Sequence, residues 1–536
     1  MSVRTYVGAR YVPRFLGTYD PTQNYEGLDV VDNGSGTSYI SRKITPAGTP
    51  LTDTDHWAIY GAASGAIISL QNQIDDIHGI IATPEMFGAV GDGITDDTAD
   101  IQSALNAADT ILMLGDYKIT DTLTVPAGVN IIGPGSIIID DSNTQFDGLD
   151  LQGNNTIKNM VFTNTYATLR LGDAVIAATN KTHLKVEGCT FENITLGYCV
   201  LFDQCEHIEI EHNIMKHYSY AGIMLMNGCM FITVQFNYIY DGQWTGNSNR
   251  YGISVSGYDS VATRAARYIK CNFNHVEDVT PLWEGIDSHS CQDAEFIGNT
   301  IINTGIGIQF SAPTTPTLQS GKTMNNVRIA HNFIKTGVKP DNQASGILCT
   351  IHSTRGIGPI ENVDIKNNYI ELTGNTYYHS SIVAGISLRS NNKDCIIESN
   401  TIKNSAPGIS IGAEATNIHI MGNEISEGNT SSDYSIMCAD ISTVKNVLVK
   451  DNFIHDCVKS FRGPTTAVAE LVTYKNNKDN GDYDTVTYTT APRNTINTNT
   501  TALGNSGDFI PCSDAGGSVV GWACIEQGTW KAISGT

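Results

Sequence analysis

From about Ile157 to Tyr474 the chain repeats one order of hydrophobic and polar positions: apolar, any, any, Asn, any, apolar. The copies read IEHNIM, VQFNYI, CNFNHV, FIGNTI, IAHNFI, IKNNYI, IESNTI, IMGNEI and VKDNFI, with the amide at Asn213, Asn237, Asn274, Asn299, Asn332, Asn368, Asn400, Asn423 and Asn452. Subtraction of neighbouring positions gives steps between 23 and 37 residues. A phrase recurring at that interval marks a solenoid rather than a globular domain. Two earlier copies, IKNMVF and VEGCTF, keep the apolar positions and place Met160 and Cys189 where the Asn falls.

On each side of the Asn, apolar residues alternate at period two, which predicts two short strands per repeat. Asn between them suits a tight corner, because it tolerates the left-handed conformation and bonds its own backbone. Stacked repeats would also let those amides bond one another. A second phrase, Gly-Ile-x-apolar, follows within each repeat at Gly222, Gly252, Gly285, Gly305, Gly346, Gly385 and Gly408, and predicts a third strand. Three strands per coil of variable length describe an all-β, right-handed parallel β-helix solenoid, in preference to a leucine-rich horseshoe or a β-sandwich.

Low charge content fits a turn-rich β protein, with only 16% of residues charged. A formal net charge of −23 and the lack of any basic stripe exclude nucleic acid as the expected partner. Of the twelve Cys, most lie in or beside strand phrases and read as free, buried apolar side chains; only Cys512 and Cys524 in the tail are spaced for a conceivable bridge. No Cys-x-x-Cys pair suggests zinc, and no metal or cofactor is expected.

Four stretches are predicted. Residues 1–62 form a small β module, with LDVV and SYIS as strands around a DNGSG turn; Tyr25, Tyr39 and Trp57 either stack on sugars or fill the module's core. Residues 63–83 hold Ile67, Leu70, Ile74, Ile77 and Ile81 at heptad spacing, which predicts a helical neck joining three chains, or else a single packed helix. Residues 84–475 are the β-helix, and 476–536 a polar, hairpin-rich C-terminal cap or tip. The N-terminus lacks a signal-peptide core and no run is long enough to span a membrane, so no membrane insertion is expected.

Residues 95–108 predict a short amphipathic helix with acids in its first turn, suited to plug the open end of a solenoid. The Asp pair of GDGITDDT reads as a helix start and cap. The run FGAVGDGITDDTADIQSAL, followed by a Gly-Asp-Tyr coil, resembles the opening signature of the pectate-lyase-like superfamily used in phage tailspikes, preneck appendages and family-28-type polysaccharide hydrolases. The N-terminal module resembles those of tail proteins from phages of Gram-positive hosts. These resemblances imply a virion tail or appendage protein assembled in the host cytoplasm. Its partners would be a bacterial surface polysaccharide or teichoic acid, other tail or collar proteins bound through the N-terminal region, and two further copies of itself in a homotrimer.

Candidate chemistry concentrates in WEGIDSHS. With Ile286 and Ser288 inward, Asp287 and His289 point outward, and no other Gly-Ile copy carries an acid there; the equivalents are taken as Met224, Ser254, Gly307, Leu348, Ser387 and Ser410. Glu284 supplies the second carboxylate that glycoside hydrolysis requires, although a separation of three along an extended strand puts it on the opposite face unless Gly285 redirects the chain. Trp244, Trp283, Gln309 and Arg389 are the expected substrate-binding residues, with Asp241, Arg250, His352 and Arg355 as further lining. The double-Asp, Gly-His-Gly and Arg-x-Lys phrases of polygalacturonases are absent, as is a pectate-lyase cluster of acids on adjacent strands. The expected function is therefore a tailspike or fibre that binds and depolymerises a surface polysaccharide, hydrolysis being favoured over elimination. The alternative is a non-enzymatic adhesin or structural tail protein on the same scaffold.

Overall fold

The computed structural model describes residues 13–34, 37–61, 80–141, 146–165, 172–243, 250–256, 265–280, 283–312, 324–337, 344–351, 359–373, 384–405, 407–428, 435–438, 444–457, 461–462, 470–475, 477–479, 482–483, 509–511, 519–526 and 529–534. The chain divides into two compact units, residues 1–82 and 83–536.

In the first unit, strands Arg14–Thr18, Asp29–Asp32, Ser38–Ser41 and Trp57–Gly61 form one sheet in chain order. The predicted hairpin is present, with Val30 opposite Ile40 and Asp32 opposite Ser38. Tyr25 and Trp57 are each 2% exposed and pack with Val31, Tyr19, Tyr39 and Leu51, so they form the module's core and are closed to sugar stacking. Most of the heptad run lies outside the described residues. Ile81, its last apolar position, belongs to the strand Ile81–Ala82 rather than to a helix.

The second unit is a parallel β-helix. Each coil contributes one strand to each of three parallel sheets. The first runs from Thr110–Leu112 to Glu470–Lys475, the second from Asp92–Asp96 to Lys478–Asp479, and the third from Leu123–Val125 to Phe461–Arg462. The repeated Asn stands at the corner between first and second sheets, buried in every copy. Its Nδ2 donates to the Asn Oδ1 of the next coil, as in Asn213 to Asn237 and Asn237 to Asn274, both at 2.9 Å. Cys189 occupies the same rung and donates its N–H to Asn213 Oδ1. The ladder runs beyond the last sequence copy to Asn477, which accepts from Asn452 at 2.9 Å. The phrase around Asn477 keeps Tyr474 at its leading apolar position but places Asp479 at the trailing one, which hid it among the other copies.

The glycine of the Gly-Ile phrase has a steric cause. At Gly346 a Cβ would lie 2.3 Å from Ile370 Cγ2 and 2.5 Å from the Gly385 carbonyl oxygen, because the inward β-branched side chain of the second sheet fills that space. Gly346→Ala is expected to destabilise the protein by about 1–3 kcal/mol through overpacking, which a lowered urea midpoint would report. The aligned glycines are Gly222, Gly252, Gly285, Gly307, Gly346, Gly385 and Gly408. Gly307, not Gly305, therefore holds the position in the overlapping sequence TGIGI.

The amphipathic segment forms an α-helix over Thr98–Ala107, shorter than the predicted span, and buries Ile101, Ala104 and Leu105. It is tied to the first strand of the third sheet by Gln102, whose amide exchanges hydrogen bonds with the Thr124 backbone at 2.9 Å in each direction. The preceding acids are structural, but only partly as a cap. Asp97 is fully buried and accepts the Val90 N–H at 2.7 Å, bracing the loop before it, while Asp96 accepts the Thr98 N–H at 3.1 Å.

Ten of the twelve cysteines are free and buried; Cys512 lies outside the described residues. In the C-terminal stretch the backbone forms a three-stranded antiparallel sheet from Phe509–Pro511, Val519–Glu526 and Thr529–Ser534.

Candidate active site on the third sheet

The strand Glu284–His289 lies between Tyr251–Val255 and Ile306–Ala312 in the third sheet. Ile286 is fully buried in the column of Ile253 and Ile308. Gly285 also faces inward, since a Cβ there would meet Ile301 Cγ2 at 2.5 Å. Two consecutive inward positions break the strict alternation of a strand. Glu284 and Asp287 consequently share the outer face, against the simple expectation from their spacing.

Asp287 pairs in register with Ser254 on one side and Gln309 on the other, so Gln309, not Gly307, is its equivalent. Its carboxylate accepts from Ser254 Oγ at 3.2 Å and Gln309 Nε2 at 3.4 Å, and meets His289 Nε2 at 3.2 Å. Asp287 is only 1% exposed and His289 partly exposed, so they are not the solvated pair of an open wall. The Ser288 hydroxyl points inward and donates to the Val255 carbonyl at 2.7 Å, which fixes the strand's orientation.

The pocket beside these groups has a volume of about 170 Å³. Its wall is aromatic: Tyr198, Tyr220 and Tyr251 line it with Met224, Asp287 and His289. The tyrosines meet edge to face, with ring centroids 5.7 and 5.5 Å apart. Burial pushes the Tyr198 phenol up to about 12. Burial also raises Tyr220, and the carboxylates of Glu284 and Asp287 add to the rise. Both phenols therefore remain O–H donors at neutral pH, and Tyr220 is placed to feel both acids.

Trp283, half-buried, packs against the cluster of Ala221, Met224 and Tyr251, and so joins this wall. Arg389 does not: it stands three coils further along the third sheet and is half-buried. Trp244, His352 and Arg355 lie outside the described residues. Asp241 is engaged by His217 Nε2 at 2.7 Å, and Arg250 is fully buried. The three tyrosines were missed by sequence reasoning. For Tyr198 and Tyr251 the signal was the position just before the glycine column, where Tyr198, Ala221, Tyr251, Glu284 and Ile306 stand in register; Tyr220 lies one residue outside that column. Among the described residues no group of three or more His, Cys, Asp or Glu is placed to hold a metal ion.

Residues 116–266 match the family model described as "Right handed beta helix region". A segment of 98 residues is 36% identical to "Depolymerase 1, capsule K30/K69-specific" of Klebsiella phage K5-2, covering 18% of this chain and 12% of that protein. The chain thus spans only a small part of that relative's length. Among solved structures, bacteriophage CBA120 tailspike protein 3 is similar over 98% of this chain and 86% of its own, with 13% identity and a TM-score of 0.48. The Azotobacter vinelandii mannuronan C-5 epimerase AlgE6 A-module gives the same identity and TM-score over 75% of this chain and 99% of its own.

Proposed function

We propose that this protein is a phage tailspike or fibre that binds a bacterial surface polysaccharide and cleaves it by glycoside hydrolysis on the outer face of the third sheet. The observation that carries the reading is a pocket walled by Tyr198, Tyr220 and Tyr251 and lined by Asp287 and His289, with the buried Glu284 on the same strand near enough to act on the Tyr220 phenol. Two carboxylates flanking a scissile bond are what hydrolysis needs, one to protonate the leaving oxygen and one to act as base or nucleophile. Asp287, oriented by Ser254, Gln309 and His289, takes the second role, and Glu284, beside the aromatic wall, the first. Tyrosine and tryptophan faces suit the apolar faces of sugar rings, and the phenols supply donors for their hydroxyls. The local similarity to a phage capsule depolymerase supports a capsule-type glycan as substrate and the virion tail as location. The homotrimer expected from the heptad run belongs to the same reading.

A second reading is favoured by the burial of Asp287, since a carboxylate with three polar neighbours and almost no exposure is also what a purely structural acid looks like. In that reading the same face binds glycan without cutting it. Incubating the protein with a panel of purified bacterial capsular polysaccharides distinguishes the two. New reducing ends without ultraviolet-absorbing unsaturated products establish hydrolysis. Unsaturated products would establish elimination and overturn the assigned roles, and binding with neither product would establish the adhesin.

A further inference from the structure

A second groove lies on a different wall of the solenoid, along the outer face of the first sheet. It has a volume of about 650 Å³ and is lined by Tyr268, Lys270, Asp293, Glu295, Arg328 and Asp364 among others, residues contributed by successive coils. One edge is a column of left-handed residues. His183, His207, Phe231 and Tyr268 come first, with φ between 55° and 56°, and Asp293, Asn326, Asn362 and Asp394 continue it. The four rings stack face to face along the axis, with centroids 4.6, 4.7 and 4.8 Å apart. Each inner ring is therefore covered on both faces. Tyr268 is the last: its far side meets the coil of Asp293, whose short side chain supplies no ring to cover it, and Tyr268 is 48% exposed. The parallel stack at the other edge of the sheet ends differently, for Phe273 lies over Gly298, where a Cβ would come within 2.5 Å of the ring.

Beyond Tyr268 that edge of the groove is polar. Asn326 Nδ2 donates to Asp293 Oδ1 at 2.9 Å, and Asn362 Nδ2 to Asn326 Oδ1 at 3.5 Å. The neighbouring row alternates in sign, Lys270, Glu295, Arg328 and Asp364 being in register on adjacent coils. We propose that this groove is a non-catalytic binding site for a neutral oligosaccharide lying along the solenoid axis, with one sugar stacked on the open face of Tyr268. Amide, carboxylate and cationic groups at fixed intervals suit hydroxyl recognition. The lining residues come from five successive coils, which at a strand spacing of about 4.8 Å gives a groove about 19 Å long, room for a short oligosaccharide. A second copy of the chain is a poor occupant, because the centres of protein interfaces are depleted in Lys, Asp and Glu. An anionic glycan is disfavoured by four carboxylates against two cations in the lining. The proposal shares with the proposed function only the premise that the ligand is a saccharide.

The test is affinity electrophoresis of the full chain through gels containing dextran, laminarin or amylose, with alginate as the acidic control, in the wild type and in Tyr268→Ala, Arg328→Ala and Tyr251→Ala. Retardation by at least one neutral glycan is expected, weakened roughly tenfold by Tyr268→Ala. Arg328→Ala should weaken it as well, while reducing-end release by Tyr268→Ala stays at the wild-type rate. The proposal is overturned if no neutral glycan retards the wild type, or if alginate is preferred. It also fails if retardation survives both first-sheet changes, or if Tyr268→Ala alters the mass in solution. Loss only in Tyr251→Ala sinks this groove and leaves the third-sheet site standing. Retardation that depends on Tyr268 in a protein that cleaves no glycan has the opposite meaning.

Discussion

Asp287→Asn is expected to lower cleavage about a hundred- to ten-thousand-fold while leaving the fold and glycan binding in place. Asn preserves the shape of the side chain and retains one oxygen to accept from Ser254 or Gln309, so the surrounding hydrogen bonds are largely kept. What is lost is the charge that would take up a proton or stabilise a developing cation. Because Asp287 is buried, the change costs about 1 kcal/mol of stability, more than an exposed carboxylate would. His289→Ala should cost less activity, since the imidazole orients the carboxylate from 3.2 Å. Glu284→Gln should match Asp287→Asn if the two acids work as a pair. Initial rates of reducing-end release, with circular dichroism as the folding control, decide the matter. A normally cleaving Asp287→Asn protein would remove the third-sheet site from consideration.

The largest expected effect on stability comes from the middle of the amide ladder. Asn332 is 2% exposed and donates Nδ2 to the Phe296 carbonyl at 2.8 Å and to Asn368 Oδ1 at 2.9 Å. Its own Oδ1 accepts both the backbone N–H and the Nδ2 of Asn299, at 2.9 and 3.0 Å. Asn332→Ala deletes both groups and leaves buried donors on Asn299 and a buried carbonyl on Phe296 without them. At about 1–3 kcal/mol for each orphaned group, the loss is expected to be about 3–6 kcal/mol. A solenoid unfolds by neighbouring units rather than all at once, so hydrogen exchange should rise first in the coils of Asn299 and Asn368. Asn332→Asp, which preserves shape but cannot donate, should give a similar loss at neutral pH. Unchanged exchange in those coils would show that the ladder contributes little.

The three-sheet architecture was legible because both of its corner devices use fixed residue types: an amide that must both donate and accept, and a glycine where any Cβ collides with an inward Ile or Val. Where two Gly-Ile pairs overlap, the phrase pointed to Gly305, and the pairing of Asp287 with Gln309 puts Gly307 in the column instead. The candidate site was half legible. Glu284 and Asp287 stood out as acids, but their shared face depends on Gly285 pointing inward, which no periodicity of two can foresee. The tyrosine wall was hidden because Tyr198, Tyr220 and Tyr251 precede the glycine column and belong to no repeated phrase. The first-sheet groove was less visible still, for its left-handed column accepts His, Phe, Tyr, Asp and Asn alike.

The amide ladder keeps the same 2.9 Å contact whether the intervening coil is 37 residues long, as between Asn237 and Asn274, or 23, as between Asn400 and Asn423. Core geometry is thus uncoupled from coil length. Segments inserted between strands can be exchanged, lengthened or diversified without altering the rung above or below. Such a chain can acquire a new specificity by recombining its excursions while inheriting its backbone unchanged, and a designer can graft them one coil at a time.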